Sequence, residues 1–397
     1  MRLRHSLCVV ITAALAATAG CGGEDQTPAT PTIDVSKLDS GNYPVTPRDI
    51  EAIRVTRTGA ALESVRIGSS SPLPFDIDGR YAFQRLVNTD RRTTPEAPSV
   101  AESLSEEEWS DLTKGFVAGW QISGERRSHP FLGRQANMEV LRFTTAEDAA
   151  AAARRLADRQ AENLPGDPVG IPGFPQSRAK WSVGKKYLDA WLAHETMVFF
   201  AHMEDPVSEP AESAPLAEFI GKYFTTQIDM LKGYAPTPAD QLGSLPIDVD
   251  GILSRTLPLE EKEKVDRNYD NSMVLPAQAA LHFERLPGLV KAAFANARVD
   301  YVAYSGTRVY RTRDADSTTR LIAAFVDMDS AGYKKIDSPP NMPSAQCFDD
   351  KDPKWTSTRY PLVCFVAYDR YVARVTGHSV QELYQRTAAQ YKLLAHR

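Results

Sequence analysis

A chain of 397 residues is long enough for two domains with cores of their own. Its 46 Lys+Arg stand against 51 Asp+Glu, a net charge of −5, and that acid excess leaves no basic surplus for phosphate backbones, so nucleic acid is excluded as a partner. No stretch beyond the N-terminus approaches the roughly 20 consecutive apolar residues of a bilayer span.

The first residues carry Arg2, Arg4 and His5, then an uncharged apolar run over 6–19, then Gly20 and Cys21. This is the order of an export signal, and its apolar run is too short for a permanent membrane helix. Ala17-Thr18-Ala19 fits an ordinary signal peptidase, whereas Thr18-Ala19-Gly20-Cys21 resembles the bacterial lipobox, with Thr18 where Leu is usual. Gly22-Gly23-Glu24-Asp25, Pro28 and Pro31 then make a polar stretch with nothing to fold around, which favours the lipid reading. We expect a signal peptide over 1–20, lipidation at Cys21, a flexible tether over 21–45, and a body held by its lipid on the extracytoplasmic face of the cell membrane. Plain secretion is the alternative. Removing Arg2 and Arg4 with the leader leaves 44 basic against 51 acidic residues, a net charge of −7.

Cys8 falls in the leader and Cys21 goes to the lipid, so Cys347 and Cys364 remain in the body. In an oxidising compartment such a pair reads as a disulfide, worth about 3 kcal/mol for a loop of this size. No further Cys or His stands nearby at ligand spacing, so neither a metal nor any other cofactor is expected.

Along the body, Leu73-Pro74-Phe75-Asp76-Ile77-Asp78-Gly79 is echoed by Leu245-Pro246-Ile247-Asp248-Val249-Asp250-Gly251, which suggests an internal duplication. After the first copy, Ser105 and Glu108 form a capping box for a helix, followed by strands over 116–123 and 137–143. A second helix starts at Thr144 with Glu147 at the capping-box position, and a hairpin turns near His194-Glu195. Leu216, Phe219, Ile220, Tyr223, Ile228 and Leu231 recur at helical spacing. After the second copy come a helix through Leu289, Val290 and Phe294, strands over 299–304 and 307–313, a strand over 321–326, and a short helix near Asp329. A hairpin over 362–365 and 371–375 and a helix capped by Ser379 and Glu382 close the chain. Neighbouring strands joined by short turns pair antiparallel, and helices set between them cover the sheet, so the fold class is α+β. We expect two similar domains, each an antiparallel sheet packed with helices, over 46–235 and 236–397, joined at Tyr234-Ala235-Pro236-Thr237-Pro238.

The lipobox, the tether and Leu38-Asp39-Ser40-Gly41-Asn42-Tyr43-Pro44-Val45-Thr46-Pro47-Arg48 resemble the start of an uncharacterised family of two-domain lipoproteins from mycolic-acid-containing actinobacteria. The resemblance implies a location and an architecture, and no catalytic residues.

Motifs for chemistry are sparse. Asp76/Asp78 and Asp248/Asp250 beside a glycine invite a calcium reading but lack the later ligands of such a loop, so they read as turns. There is no G-x-S-x-G, no H-E-x-x-H and no phosphate-binding glycine loop; His129, His194, His202, His282, His378 and His396 are scattered. Gly166, Gly170 and Gly173 alternate with Pro165, Pro168, Pro172 and Pro175 in what reads as an extended surface loop. Trp181, Tyr187 and Trp191 in one half, and Tyr301, Tyr304, Tyr310, Tyr360, Tyr368 and Tyr371 in the other, supply the core, with some left to line a pocket. Two functions follow. The first is a non-enzymatic envelope module that binds a lipid, a cell-wall polymer or an envelope protein; the second is an extracytoplasmic hydrolase whose site is assembled between the two domains.

Overall fold

The computed structural model describes residues 33–84, 91–95, 104–129, 131–261, 271–351 and 362–396. The expected signal peptide and Cys21 lie outside them. From Ile33 on, the expected tether is not free: Ile33 and Leu38 are buried in the core of the second half, and Tyr43 and Val45 pack against Leu257, Ala389 and Leu393. The Lys392 ammonium donates to the Leu38 carbonyl at 2.8 Å and the Arg48 N–H to the Ser254 carbonyl at 3.2 Å. The apolar residues interleaved in this polar stretch bury surface only against a distant part of the chain, which makes them unreadable as local structure.

Helix α1 (Thr58–Ser69) then lies against the first half. A short α2 (Pro74–Ile77) follows, with Pro74 at its first position and the Asp76 carboxylate accepting from the Leu73 N–H. The first sheet has the order β1-β2-β3-β7-β6-β5-β4, with β1 Arg92–Thr93, β2 Phe116–Glu125, β3 Gln135–Phe143, β4 Asp167–Pro168, β5 Arg178–Ser182, β6 Tyr187–His194 and β7 Met197–Glu204, every pairing antiparallel. Helices α3 (Glu106–Leu112) and α4 (Ala146–Asn163) cover one face through Trp109, Ala149, Ala152 and Leu156 on Leu141, Phe143, Trp191 and Phe200. The α4 cap is one residue later than expected: Thr145 accepts from the Asp148 N–H. Helix α5 (Ala214–Leu231) covers the other face with Leu216, Phe219, Ile220, Tyr223 and Phe224.

The second sheet has the order β11-β12-β13-β14-β10-β9-β8, with β8 Met273–Pro276, β9 Tyr301–Tyr304, β10 Arg308–Arg311, β11 Tyr333–Ile336, β12 Gln346–Asp350, β13 Leu362–Tyr368 and β14 Tyr371–Gly377. Counted from β8 it repeats the first sheet strand for strand. The helices repeat as well: α7 (Pro287–Ala297) and α8 (Ala315–Asp329) take the places of α3 and α4, and α9 (Val380–Ala395) takes that of α5, while α6 (Ala277–Leu281) has no counterpart among the described residues. The expected strand over 321–326 and the helix near Asp329 are corrected by α8. Asp314 caps it by accepting from the Ser317 N–H, and Leu321, Ile322 and Phe325 are buried at helical spacing, so an apolar run that reads as a strand is one stripe of a helix.

Each sheet is covered on both faces, and the halves share a core in which the α5 side of the first sheet meets the α7–α8 side of the second. Trp120 on β2 is fully buried and meets His282 and Phe283 edge-on, with centroids 5.7 and 5.9 Å away. A Cβ on Gly68 would lie 2.4 Å from the Trp120 indole, so α1 needs glycine there to approach the sheet. Polar contacts seal the seam: Gln84 Nε2 donates to the Leu281 carbonyl at 2.7 Å and Gln278 Nε2 to the Ser71 carbonyl at 2.8 Å.

Candidate functional site

The repeated Asp-x-Asp-Gly segments differ: the first runs from the end of α2, which holds Asp76, into a turn at Gly79, and the second is a turn. Asp248 accepts from the Val249, Leu253 and Ser254 N–H groups at 2.8–2.9 Å, Asp250 is bound by Arg311 at 2.5 Å, and Gly251 takes a φ of 71°. Asp78 is held by Arg80 at 2.8 Å and Arg126 at 2.6 Å, and these hydrogen bonds keep its carboxyl well below the usual range. The proline-glycine run contributes β4 to the sheet edge, and Phe174 packs edge-on against Phe224 at 5.3 Å. Cys347 and Cys364 face each other across β12 and β13 with their sulfurs bonded, fully buried on the α9 side.

The histidines stay apart. His282 lies in the seam between the halves, where burial, with the nearby Arg91 charge, pushes its pKa down to about 3. His202 sits opposite Asp189 on the β6–β7 hairpin, with Nδ1 2.6 Å from the carboxylate and its ring edge-on to Tyr187 at 4.8 Å. Burial alone would lower its pKa, but the Asp189 hydrogen bond and charge, with Glu204, leave it raised. Among the described residues no Ser, Thr or Cys side chain is bonded to His202, and no group of three or more His, Cys, Asp or Glu could hold a metal. Trp181 is buried core, and the Trp191 indole stacks on Phe200 and donates to Gln160 Oε1 at 2.6 Å. Tyr301 lies under the Arg311 guanidinium, Tyr371 under that of Arg370, and Tyr368 packs on Tyr391; Tyr360 lies outside the described residues.

Tyr304 and Tyr310 belong to a different kind of place. On the face of the second sheet that looks toward α8, Arg308 of β10 and Arg374 of β14 are directly opposite each other in the ladder. Like charges so placed, with Cβ atoms about 5 Å apart, repel. Arg308 is compensated: its Nη1 is 3.2 Å from Glu284 Oε1, the Tyr304 hydroxyl donates to that oxygen at 3.0 Å, and the guanidinium lies 4.5 Å from the Tyr304 ring centroid. Arg308 keeps 26% of its side-chain surface, Glu284 only 9%.

Arg374 is not compensated. Its Nε is buried without a hydrogen-bond partner, and none of its nitrogens makes an ion pair within 4.0 Å among the described residues. Tyr310, Asp329 and Tyr333 lie within its electrostatic reach, and Arg285 acts on Tyr333 as well. Burial, with only partial opposition from Arg374, pushes Asp329 above the usual carboxylate range. Guanidiniums and phenols thus converge in a recess where, among the described residues, the Arg374 guanidinium has no carboxylate bonded to it. Sequence analysis missed this set. One signal was available: Val372-Ala373-Arg374-Val375 is apolar on both faces except for one arginine, an unusual residue for a doubly covered strand.

Two models of one family match most of the chain: the N-terminal part of the domain of unknown function DUF7373 over residues 51–247 and its C-terminal part over residues 252–397. No curated protein matches. Among solved structures, the extracellular domain of PknH from Mycobacterium tuberculosis is similar over 46% of this chain and 97% of its own, at 11% identity and a TM-score of 0.27.

Proposed function

The chain belongs to the DUF7373 family, and because membership brings no activity with it, we propose from the chain's own residues that it is a binding module, tethered by a lipid on Cys21 to the extracytoplasmic face of the membrane. The observation that carries the binding half of this reading is Arg374, a cation set beside a second arginine in a recess and left without a partner. Burying such a charge costs stability, and a fold retains that cost where the charge meets something from outside. Guanidinium and phenol groups hold and orient a ligand; they supply neither a nucleophile nor a general base near neutral pH. Binding therefore fits the recess better than hydrolysis.

The address rests on the leader, the small residues before Cys21, and a buried cystine of the kind that persists in oxidising compartments. From Ile33 on, the chain is clasped to the second half, which leaves 22–32 as the span between lipid and body. The test of the address is the N-terminal peptide of protein purified from its own host. A diacylglycerol adduct on Cys21, with release into the medium by Cys21→Ala, is expected. A mature terminus at Gly20 without an adduct would replace the anchor with plain secretion.

A further inference from the structure

We propose that the recess around Arg374 takes a phosphoryl group, free or as the headgroup of a larger molecule, and this rests on the binding-module reading above. Two arginines from distant places in the chain face each other there, Arg374 on β14 and Arg308 on β10, and the exposed Arg285 before α7 acts electrostatically on Tyr333 nearby. Against them stands Glu284, which Arg308 and the Tyr304 hydroxyl already occupy. Asp329, at the C-terminal end of α8, sits where burial disfavours its charged form. Asp350, the other carboxylate within reach of Tyr333, has a partner of its own.

Arg374 thus faces Arg308 with no carboxylate of the described residues bonded to it, and a tetrahedral oxoanion, with three free oxygens, can meet both guanidiniums where a carboxylate is used up by one. The planar fork of Arg374 presents parallel N–H donors suited to two oxygens of one phosphate, and an anion between Arg308 and Arg374 would turn their repulsion into a shared contact. The buried Tyr310 hydroxyl, close to the Arg308 guanidinium, adds a neutral donor on the same face. The surroundings are aromatic: Phe325 stacks on Phe365 at 5.7 Å, and Phe365 is the cross-strand neighbour of Arg374. Such a floor strengthens a charge-assisted hydrogen bond by excluding water.

The test is isothermal titration of the full chain, in detergent and at fixed ionic strength, with inorganic phosphate and with dihexanoyl phosphatidic acid, for wild type, Arg374→Met and Arg374→Lys. Wild type should bind at least one of the two. Arg374→Met should weaken that binding tenfold or more, and Arg374→Lys should fall between, because an ammonium keeps the charge and loses the fork. Binding of both probes identifies the phosphoryl group alone as the determinant; binding of the lipid only assigns the site to a headgroup. A melting measurement without ligand guards against a merely structural arginine. Arg374→Met should then melt at or above the wild-type temperature, and a drop of several degrees would overturn the proposal, as would phosphate binding that Arg374→Met leaves unchanged. If neither probe binds while host-purified protein carries a neutral ligand, the phosphoryl assignment fails and the binding-module reading stands; if nothing is carried either, both fail.

Discussion

Glu63 is the residue whose loss should be felt most sharply. It lies on α1, fully buried, accepts from Arg142 Nη1 at 2.5 Å, the Thr237 N–H at 3.1 Å, Thr237 Oγ1 at 2.7 Å and the Tyr234 hydroxyl, and forms an ion pair with Arg66 Nε at 3.2 Å. One carboxylate thereby ties α1, the inner face of β3 and the connector between the halves. Glu63→Ala leaves Arg142, 8% exposed, with only the Thr237 carbonyl at 2.6 Å. Breaking a buried pair by removing one partner costs about 3–5 kcal/mol, and the orphaned Thr237 and Tyr234 groups place the value toward the upper end. Glu63→Leu combined with Arg142→Met removes both charges and should cost less than Glu63→Ala alone. Urea unfolding followed by tryptophan fluorescence measures both. A loss below about 1 kcal/mol for Glu63→Ala, or a double variant as costly as its two singles added, would refute the claim that the carboxylate clamps the connector.

His282 has its folded pKa held down at about 3 by burial, so the native state lacks a proton that the unfolded chain takes up below its ordinary value. Its contribution is present above about pH 6.5 and is lost on acidification, about 2 kcal/mol between pH 7 and 5; His282→Asn should remove that slope in pH-dependent urea titrations. His202 runs the other way: its raised pKa means that the Asp189 pair stabilises below about pH 6.5, and this support is lost as pH rises through the folded pKa. His202→Asn should flatten that alkaline step in the same titrations. Gly68→Ala forces a methyl group to within 2.4 Å of the Trp120 indole and should destabilise by about 1–3 kcal/mol in thermal unfolding, despite alanine's better helix propensity. Cys347→Ser with Cys364→Ser should cost about 3 kcal/mol, since the bond closes a loop 17 residues long in separation.

The sheet class, the repeated halves and most paired strands were legible because they rest on local pattern. Ser105, Ser379 and the turn after His194 announce element ends. What failed was non-local. Nothing near 33–45 reveals that its apolar residues complete a core built some 300 residues later, as the Asn341 side-chain bond to the Lys37 carbonyl shows. The apolar run in α8 suits strand or helix equally until the Asp314 cap is weighed. The recess was hidden for the same reason: Arg308 and Arg374 are 66 positions apart, and only the β10–β14 pairing makes them neighbours.

The most direct test of the account is native mass spectrometry of protein purified from its own host, wild type beside Arg374→Met. The account predicts a bound mass on wild type that is reduced or absent on the variant, with both chains folded. The same bound mass on both would place the ligand elsewhere, and no bound mass on either, together with an unoccupied recess in a crystal structure of the same material, would contradict the claim that this recess exists to bind.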